Sequence, residues 1–199
     1  MALIAKKTGE DFPIIPAGTH AARCSWVIDL GTQKTTWQGQ EKHQHKVLFG
    51  FELPDELMED GRPFFISNRY TMSLSEKAAL RGVLETWRGV KFTEEEALGF
   101  DLFKVLGQPC MLTVIHNDKG GKTYANVAGV AKLPKGMTCK PAINPPVSFS
   151  LAEFDQKVFD ALPEWVRNTI TQSREYQDMG KPARESENPA GDLDDDIPF

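Results

Sequence analysis

Residues 64–89 read FFISNRYTMSLSEKAALRGVLETWRG, and their period changes midway. FFISNRYTM (64–72), entered from a turn at EDGRP, has the aromatic and β-branched content of a strand. From Ser73 onward Leu74, Val83, Leu84 and Trp87 fall near one helical stripe, Ser73 and Glu76 stand at capping-box spacing, and Gly89 closes the element. The fold depends on what surrounds this switch from strand to helix.

Upstream, THAARCSWVIDL (19–30) alternates, with His20, Ala22, Cys24, Trp26 and Ile28 on one face and Ala21, Arg23, Ser25 and Val27 on the other. KVLFGFEL (46–53) alternates again, placing Val47, Phe49, Phe51 and Leu53 inward and Lys46, Leu48, Gly50 and Glu52 outward. Between them GTQKTTWQGQEKHQ, with little apolar content, reads as a long loop. Downstream, Thr93 and Glu96 form a second capping box opening EEEALGFDLFKVLG, weakened at Gly99 and ended by Gly107. CMLTVIH and KTYANVAGV then flank NDKGG as a hairpin.

Three strands, a helical insertion and two strands is the order of a mainly β chain folded as an OB-fold, a five-stranded Greek-key barrel. Its usual ligand site is the face of strands two and three, with the loops that would here be residues 31–43 and 116–122. This domain is expected over 1–140. A Pro-rich linker follows over 141–149, beginning PAINPPV. A C-terminal helical appendage is expected over 150–178, with a capping box at Ser150 and Glu153, an apolar side of Phe154, Val158, Phe159 and Leu162, and a restart at Pro163. From 179 to 199 the composition is that of a disordered acidic tail.

Charge divides the same way. Residues 1–140 carry 18 basic and 16 acidic side chains, residues 141–199 carry 5 and 12, and from Glu185 onward six acidic groups stand with no basic one. No apolar run is long enough to span a bilayer and the N-terminus lacks a secretory pattern, so a soluble cytoplasmic protein with no membrane association is expected. Cys24, Cys110 and Cys139 are odd in number and widely spaced, which points to reduced, buried thiols rather than disulfides or zinc.

Several motifs have plainer explanations. GGKT (120–123) lacks the first glycine of a phosphate-binding loop, having His116 there, and precedes a strand rather than a helix. His43 and His45 share a strand side but have no third ligand nearby in sequence. Glu94, Glu95 and Glu96 suit the first turn of a helix, where the dipole favours acids. Trp26, Phe49, Phe51 and Trp87 fall on apolar stripes and read as core. Trp37 differs, because it sits among polar and basic residues. With Tyr124 on the hairpin and Tyr70 beside Arg69, it is a candidate for stacking on bases. Arg23, Lys34, Lys42, Lys46, Arg69, Lys119 and Lys122 map to the same face and loops and could contact phosphates.

The chain ends GDLDDDIPF, with Asp192 preceding the acidic run. DDDIPF is identical to the acidic tip of bacterial single-stranded-DNA-binding proteins. The body, through YTMSLSEKAALRGVLETWRG, FDLFKVLGQPCMLTVIH and LPEWVRNTITQSREYQ, resembles phage-encoded single-stranded-DNA-binding proteins of the OB-fold type. The resemblance implies a non-enzymatic, cofactor-free protein that coats single strands with little sequence preference in a bacterial, or infected bacterial, cytoplasm. It further implies a tip that recruits replication, recombination and repair enzymes. Phe199 and Pro198 would enter an apolar pocket on the partner, Ile197 would be a secondary contact, and Asp194, Asp195 and Asp196 would steer the encounter. The helical segment at 150–178 departs from the long linker of the bacterial proteins, so their tetramer does not carry over and homo-oligomerisation stays open. The rival reading is an adaptor or decoy that captures host enzymes through the tip and binds no nucleic acid.

Overall fold

The structure is a computed structural model describing residues 13–37 and 39–179. It is mainly β. Strands β1 (Gly18–Trp37), β2 (Gln40–Leu57), β3 (Pro63–Thr71), β4 (Pro109–Lys119) and β5 (Lys122–Ala131) form an antiparallel sheet in the order β3-β2-β1-β4-β5. A sixth strand, β6 (Val147–Phe149), pairs in parallel with Trp26–Ile28 of β1. Along one edge of β1, β4 pairs with Gly18–Arg23 and β6 follows with Trp26–Ile28.

The helical insertion comprises α1 (Ala79–Arg88), α2 (Glu94–Leu98) and a 3-10 turn at Leu102–Val105. α1 starts five residues later than the Ser73 capping box predicts, with Ala78 at its N-cap. Ser73 Oγ instead accepts the Ser75 N–H, closing a local turn that competes with the helix. The second capping box is present in full: Thr93 Oγ1 accepts the Glu96 N–H and the Glu96 carboxylate accepts the Thr93 N–H. Gly89 ends α1 at φ +71°, and Gly99 ends α2.

A first core lies between the sheet and α1. Val47, Phe49, Phe51 and Leu53 of β2 point into it as the alternation predicts, meeting Leu80, Leu84 and Trp87 of α1. The Trp87 ring stands 5.8 Å from Phe51 and 6.4 Å from Phe49, and its Nε1–H donates to the Pro109 carbonyl. β1 behaves differently. A register shift between Cys24 and Trp26 reverses the side-chain alternation, so Ala22, Cys24 and Val27 enter this core while Trp26, Ile28 and Leu30 face the opposite way.

That opposite face is covered. The helical appendage expected over 150–178, with its restart at Pro163, is three short helices, α3 (Gln156–Ala161), α4 (Glu164–Thr171) and α5 (Arg174–Met179). Asp155, not Ser150, caps α3, and Pro163 precedes α4 as expected. Phe159, Leu162, Val166 and Ile170 pack with Phe149 and Leu151 onto Ile28, Leu30 and Leu48, making a second core. Burying each such side chain contributes about 1.5–3 kcal/mol, so the C-terminal helices are integral to the sheet. Leu48 and Glu52, expected outside, are buried here. At Gly31 (φ +68°) a Cβ would collide with Ser173 and Leu151, so the backbone approach there requires glycine.

The predicted loop 31–43 is instead a continuation of β1 and β2, laddered from Gly31↔Lys46 to Trp37↔Gln40, with Gly39 at φ +76° in the turn. Cys24, Cys110 and Cys139 are buried and unpaired, and burial pushes the Cys24 thiol up to about 12. Among the described residues no helix is long and apolar enough to cross a membrane.

Candidate nucleic-acid interface

The ladder places the two predicted contact regions at opposite ends of β1: the β1–β2 ribbon closes beyond Trp37, and the β4–β5 hairpin projects beyond Gly18.

The hairpin turns through Gly120 and Gly121, both at positive φ, as Gly-Gly between strands favours. Asn117 pairs with Tyr124 and Lys119 with Lys122. With the period-two alternation of a strand, Lys119, Lys122 and Tyr124 share one face. Ile115, paired with Asn126, lies further down the same side and is exposed, and the Tyr124 ring is half exposed. Neither lysine forms an ion pair among the described residues. Two like charges directly opposite on a ladder repel. An anionic ligand would relieve that repulsion.

A second group lies on the outer side of β2 and β3. Arg69, paired with Leu48, stacks its guanidinium 5.5 Å from the ring centre of Trp165 on α4 and reaches Thr169 Oγ1 at 3.4 Å. Lys46, paired with Thr71 one step along this face, donates its ammonium to Thr71 Oγ1 (2.7 Å) and Gln44 Oε1 (2.8 Å). Burial holds the Lys46 pKa below its ordinary value. Phe65, partly exposed on the same side of β3, rests 4.5 Å from the Trp26 ring. Trp165 was missed by sequence reasoning, although its signal is readable: Leu162, Val166 and Ile170 take the apolar stripe and leave Trp165 off it.

On the ribbon, Lys34 pairs with Glu41 at 2.5 Å, an exposed pair that holds the Glu41 carboxyl below its usual range. Lys42 is exposed opposite Thr35. The ribbon base is tied to α5. Glu175 accepts both the Thr32 N–H (2.6 Å) and the Thr32 hydroxyl (2.5 Å), and lies 3.8 Å from His45 Nδ1. His45 Nε2 meets Asp29 at 2.6 Å, and Asp29 also accepts the N–H groups of Gly31 and Leu151. The Asp29 bond raises the His45 pKa against the opposing effect of burial. Burial works most strongly against ionised Asp29, yet its bonds from His45, Gly31 and Leu151 together keep its pKa below the usual value.

Two predicted contacts have other roles. Tyr70 points into the first core, 6% exposed, with its ring 5.5 Å from Phe49, because β3 alternation turns it away from Arg69; burial raises its pKa. It has no face to offer a base. Arg23 spends its guanidinium on backbone carbonyls, donating to Lys140 (2.6 Å), Gly107 (2.9 Å) and Cys139 (2.8 Å). The Trp37 side chain and the predicted partner contacts Asp194, Asp195, Asp196, Ile197, Pro198 and Phe199 lie outside the described residues. Among the described residues, no group of three or more His, Cys, Asp or Glu could hold a metal. The chain matches no protein-family model and no curated protein sequence.

Proposed function

We propose that the protein binds single-stranded DNA with little sequence preference and without catalysing a reaction, on an OB-fold whose helical insertion follows the third strand. The strand order, with β1 shared between β2 and β4 and the outer strands β3 and β5 approaching one another, supports the OB-fold reading. The observation that carries the function is the hairpin face, where an exposed Tyr124 stands beside Lys119 and Lys122, neither of which forms an ion pair among the described residues. An exposed ring stacks on any base, and cations track the phosphate backbone, so the pair gives affinity without sequence readout. Arg69, Lys46 and Trp165 supply a second set of the same chemistry, and Lys34 and Lys42 extend it along the ribbon. The DDDIPF segment would recruit replication, recombination and repair enzymes to the coated strand.

A salt-titrated binding curve on an oligothymidine strand tests this reading. Affinity should fall linearly with the logarithm of salt concentration, with a slope of about −0.7 per phosphate contact. Absence of binding at low salt would overturn the proposal and leave the adaptor reading in its place.

A further inference from the structure

A cavity of about 420 Å³ opens at the C-terminal end of α1, between the 3-10 turn and the end of β5. Trp87 and Phe100 are among its apolar walls, and three cations line it: Arg88, Lys104 and Lys132. None belongs to either proposed strand-contact group. Arg88 stacks 4.4 Å from the Phe92 ring centre and 5.2 Å from that of Phe100, and its Nη2 donates to Glu96 at 2.6 Å. Its Nη1 is buried without a hydrogen-bond partner among the described residues, an unusual state for a charged donor. Lys104 sits 5.9 Å from the Phe100 ring centre, and the Lys132 side chain lies against Gly89, where a Cβ would strike it at 2.8 Å. Gln108 adds an uncharged amide to the wall, and no carboxylate is among the lining residues. Glu96, paired with Arg88 and within the field of Lys104, stands outside the lining.

A cleft of this volume, with aromatic walls and a few convergent polar groups, has the character of a small-ligand site rather than of a flat docking surface. Its charge sets the kind of ligand. Three cations against the Glu96 carboxylate leave an excess of positive charge that a single carboxylate would not balance, whereas a phosphate monoester carries about −2 at neutral pH. The partnerless Nη1 calls for an oxygen acceptor, and a phosphate offers several to neighbouring cations at once. The rings of Trp87 and Phe100 suit a planar body, and a base, unlike a plain hydrocarbon ring, brings donors and acceptors on its edge for Gln108. We infer that this cavity binds a nucleoside 5′-phosphate, with the base against Trp87 and Phe100 and the phosphate on Arg88, Lys104 and Lys132. A free nucleotide and the 5′-phosphorylated end of a strand present the same group. The inference does not rest on the binding of strands at the hairpin or on the outer side of β2 and β3.

The test irradiates the full chain with 8-azido-2′-deoxyadenosine 5′-monophosphate and maps the labelled peptides by mass spectrometry. Labelling of the peptides that hold Trp87, Phe100 or Gln108 is expected, with dAMP competing at least tenfold better than deoxyadenosine or inorganic phosphate. Lys104→Gln with Lys132→Gln should lower the labelling about tenfold or more, and Tyr124→Ala should leave it unchanged. Labelling confined to the β4–β5 hairpin, or none at millimolar probe, would overturn the inference. So would equal competition by deoxyadenosine, or better competition by O-phosphotyrosine than by dAMP. The primary measurement leaves the cavity residues unchanged, so misfolding of a variant cannot imitate a negative result. Oligodeoxyadenylate strands with a 5′-phosphate or a 5′-hydroxyl separate the two sources. Stronger competition by the phosphorylated strand than by dAMP assigns the site to strand ends, and competition by dAMP alone assigns it to free nucleotide. Equal competition by both strands would overturn the requirement for a terminal phosphate. Cavity labelling in a protein that binds no oligothymidine refutes only the strand-binding proposal.

Discussion

Arg23 and Glu52 are direct cross-strand partners on β1 and β2, and both hold the segment that leaves β5. Arg23 donates to the carbonyls of Cys139 and Lys140, while the fully buried Glu52 carboxylate accepts the N–H groups of Ile143 and Asn144 and the Asn144 side-chain amide. A cation collects acceptors and an anion collects donors from one stretch of backbone. Glu52→Ala should therefore cost about 2–4 kcal/mol by stranding buried donors. Chemical denaturation gives the size of the loss. Hydrogen exchange should show it concentrated in residues 141–171. Arg23→Ala should also destabilise, and the slope of strand affinity against salt should stay unchanged because the Arg23 guanidinium is engaged by backbone carbonyls.

Tyr124→Ala should weaken oligothymidine binding by about 1–3 kcal/mol, the usual worth of a stacked base. Lys119→Gln should reduce the salt slope by about 0.7. Tyr70→Phe, a change inside the first core, should leave both unaltered. Fluorescence anisotropy on a labelled strand reads all three.

Trp165→Ala should weaken strand binding while leaving the fold standing, because the ring lies on the exposed side of α4 and the buried stripe of Val166 and Ile170 is untouched. Arg69→Ala combined with Trp165→Ala should cost less than the two separate losses summed, since one group stacks on the other. A double-mutant cycle of strand affinities measures the coupling.

The seating of α5 should depend on pH in both directions. His45 has a raised folded pKa, so its contribution is full below about pH 6.5 and is lost as pH rises through that raised value. Asp29 and Glu175 have lowered folded pKa values, so theirs is present above the ordinary carboxylate range and lost as pH falls through the lowered values. Amide exchange of Glu175–Met179, corrected for intrinsic rates, should be slowest between these limits. His45→Gln should abolish the loss on the alkaline side.

Alternation found the strands whose inner face is buried throughout, such as Phe49 and Phe51 on β2. It failed where burial does not alternate. The ribbon 31–45 becomes wet on both sides toward its tip, so Lys34, Lys42 and their neighbours carry no apolar signature of a strand. At Ser25 a bulge moves Trp26 and Ile28 to the second core, a shift that composition does not announce. β6 is three residues long behind a proline pair, too short for any period. Capping boxes also divide on physical grounds: Thr93 and Glu96 exchange both bonds, while the hydroxyls of Ser73 and Ser150 close turns on Ser75 and Ala152. Of the candidate site, the lysines and Tyr124 of the hairpin were readable because a tight glycine turn fixes their register. Trp165 depends on α4 folding back beside β3, a contact between residues 96 positions apart.

Glu175 grips Thr32 through two hydrogen bonds, and Gly31 lets the backbone close on Ser173 immediately before it. The acidic segment thus starts from a fixed mooring at the foot of the ribbon. If the DDDIPF segment recruits partners as proposed, the number of residues between Gly180 and Gly191 sets how far from this mooring it acts. On the proposed function, spacer length would be a dial for how far from the bound strand a partner can be met.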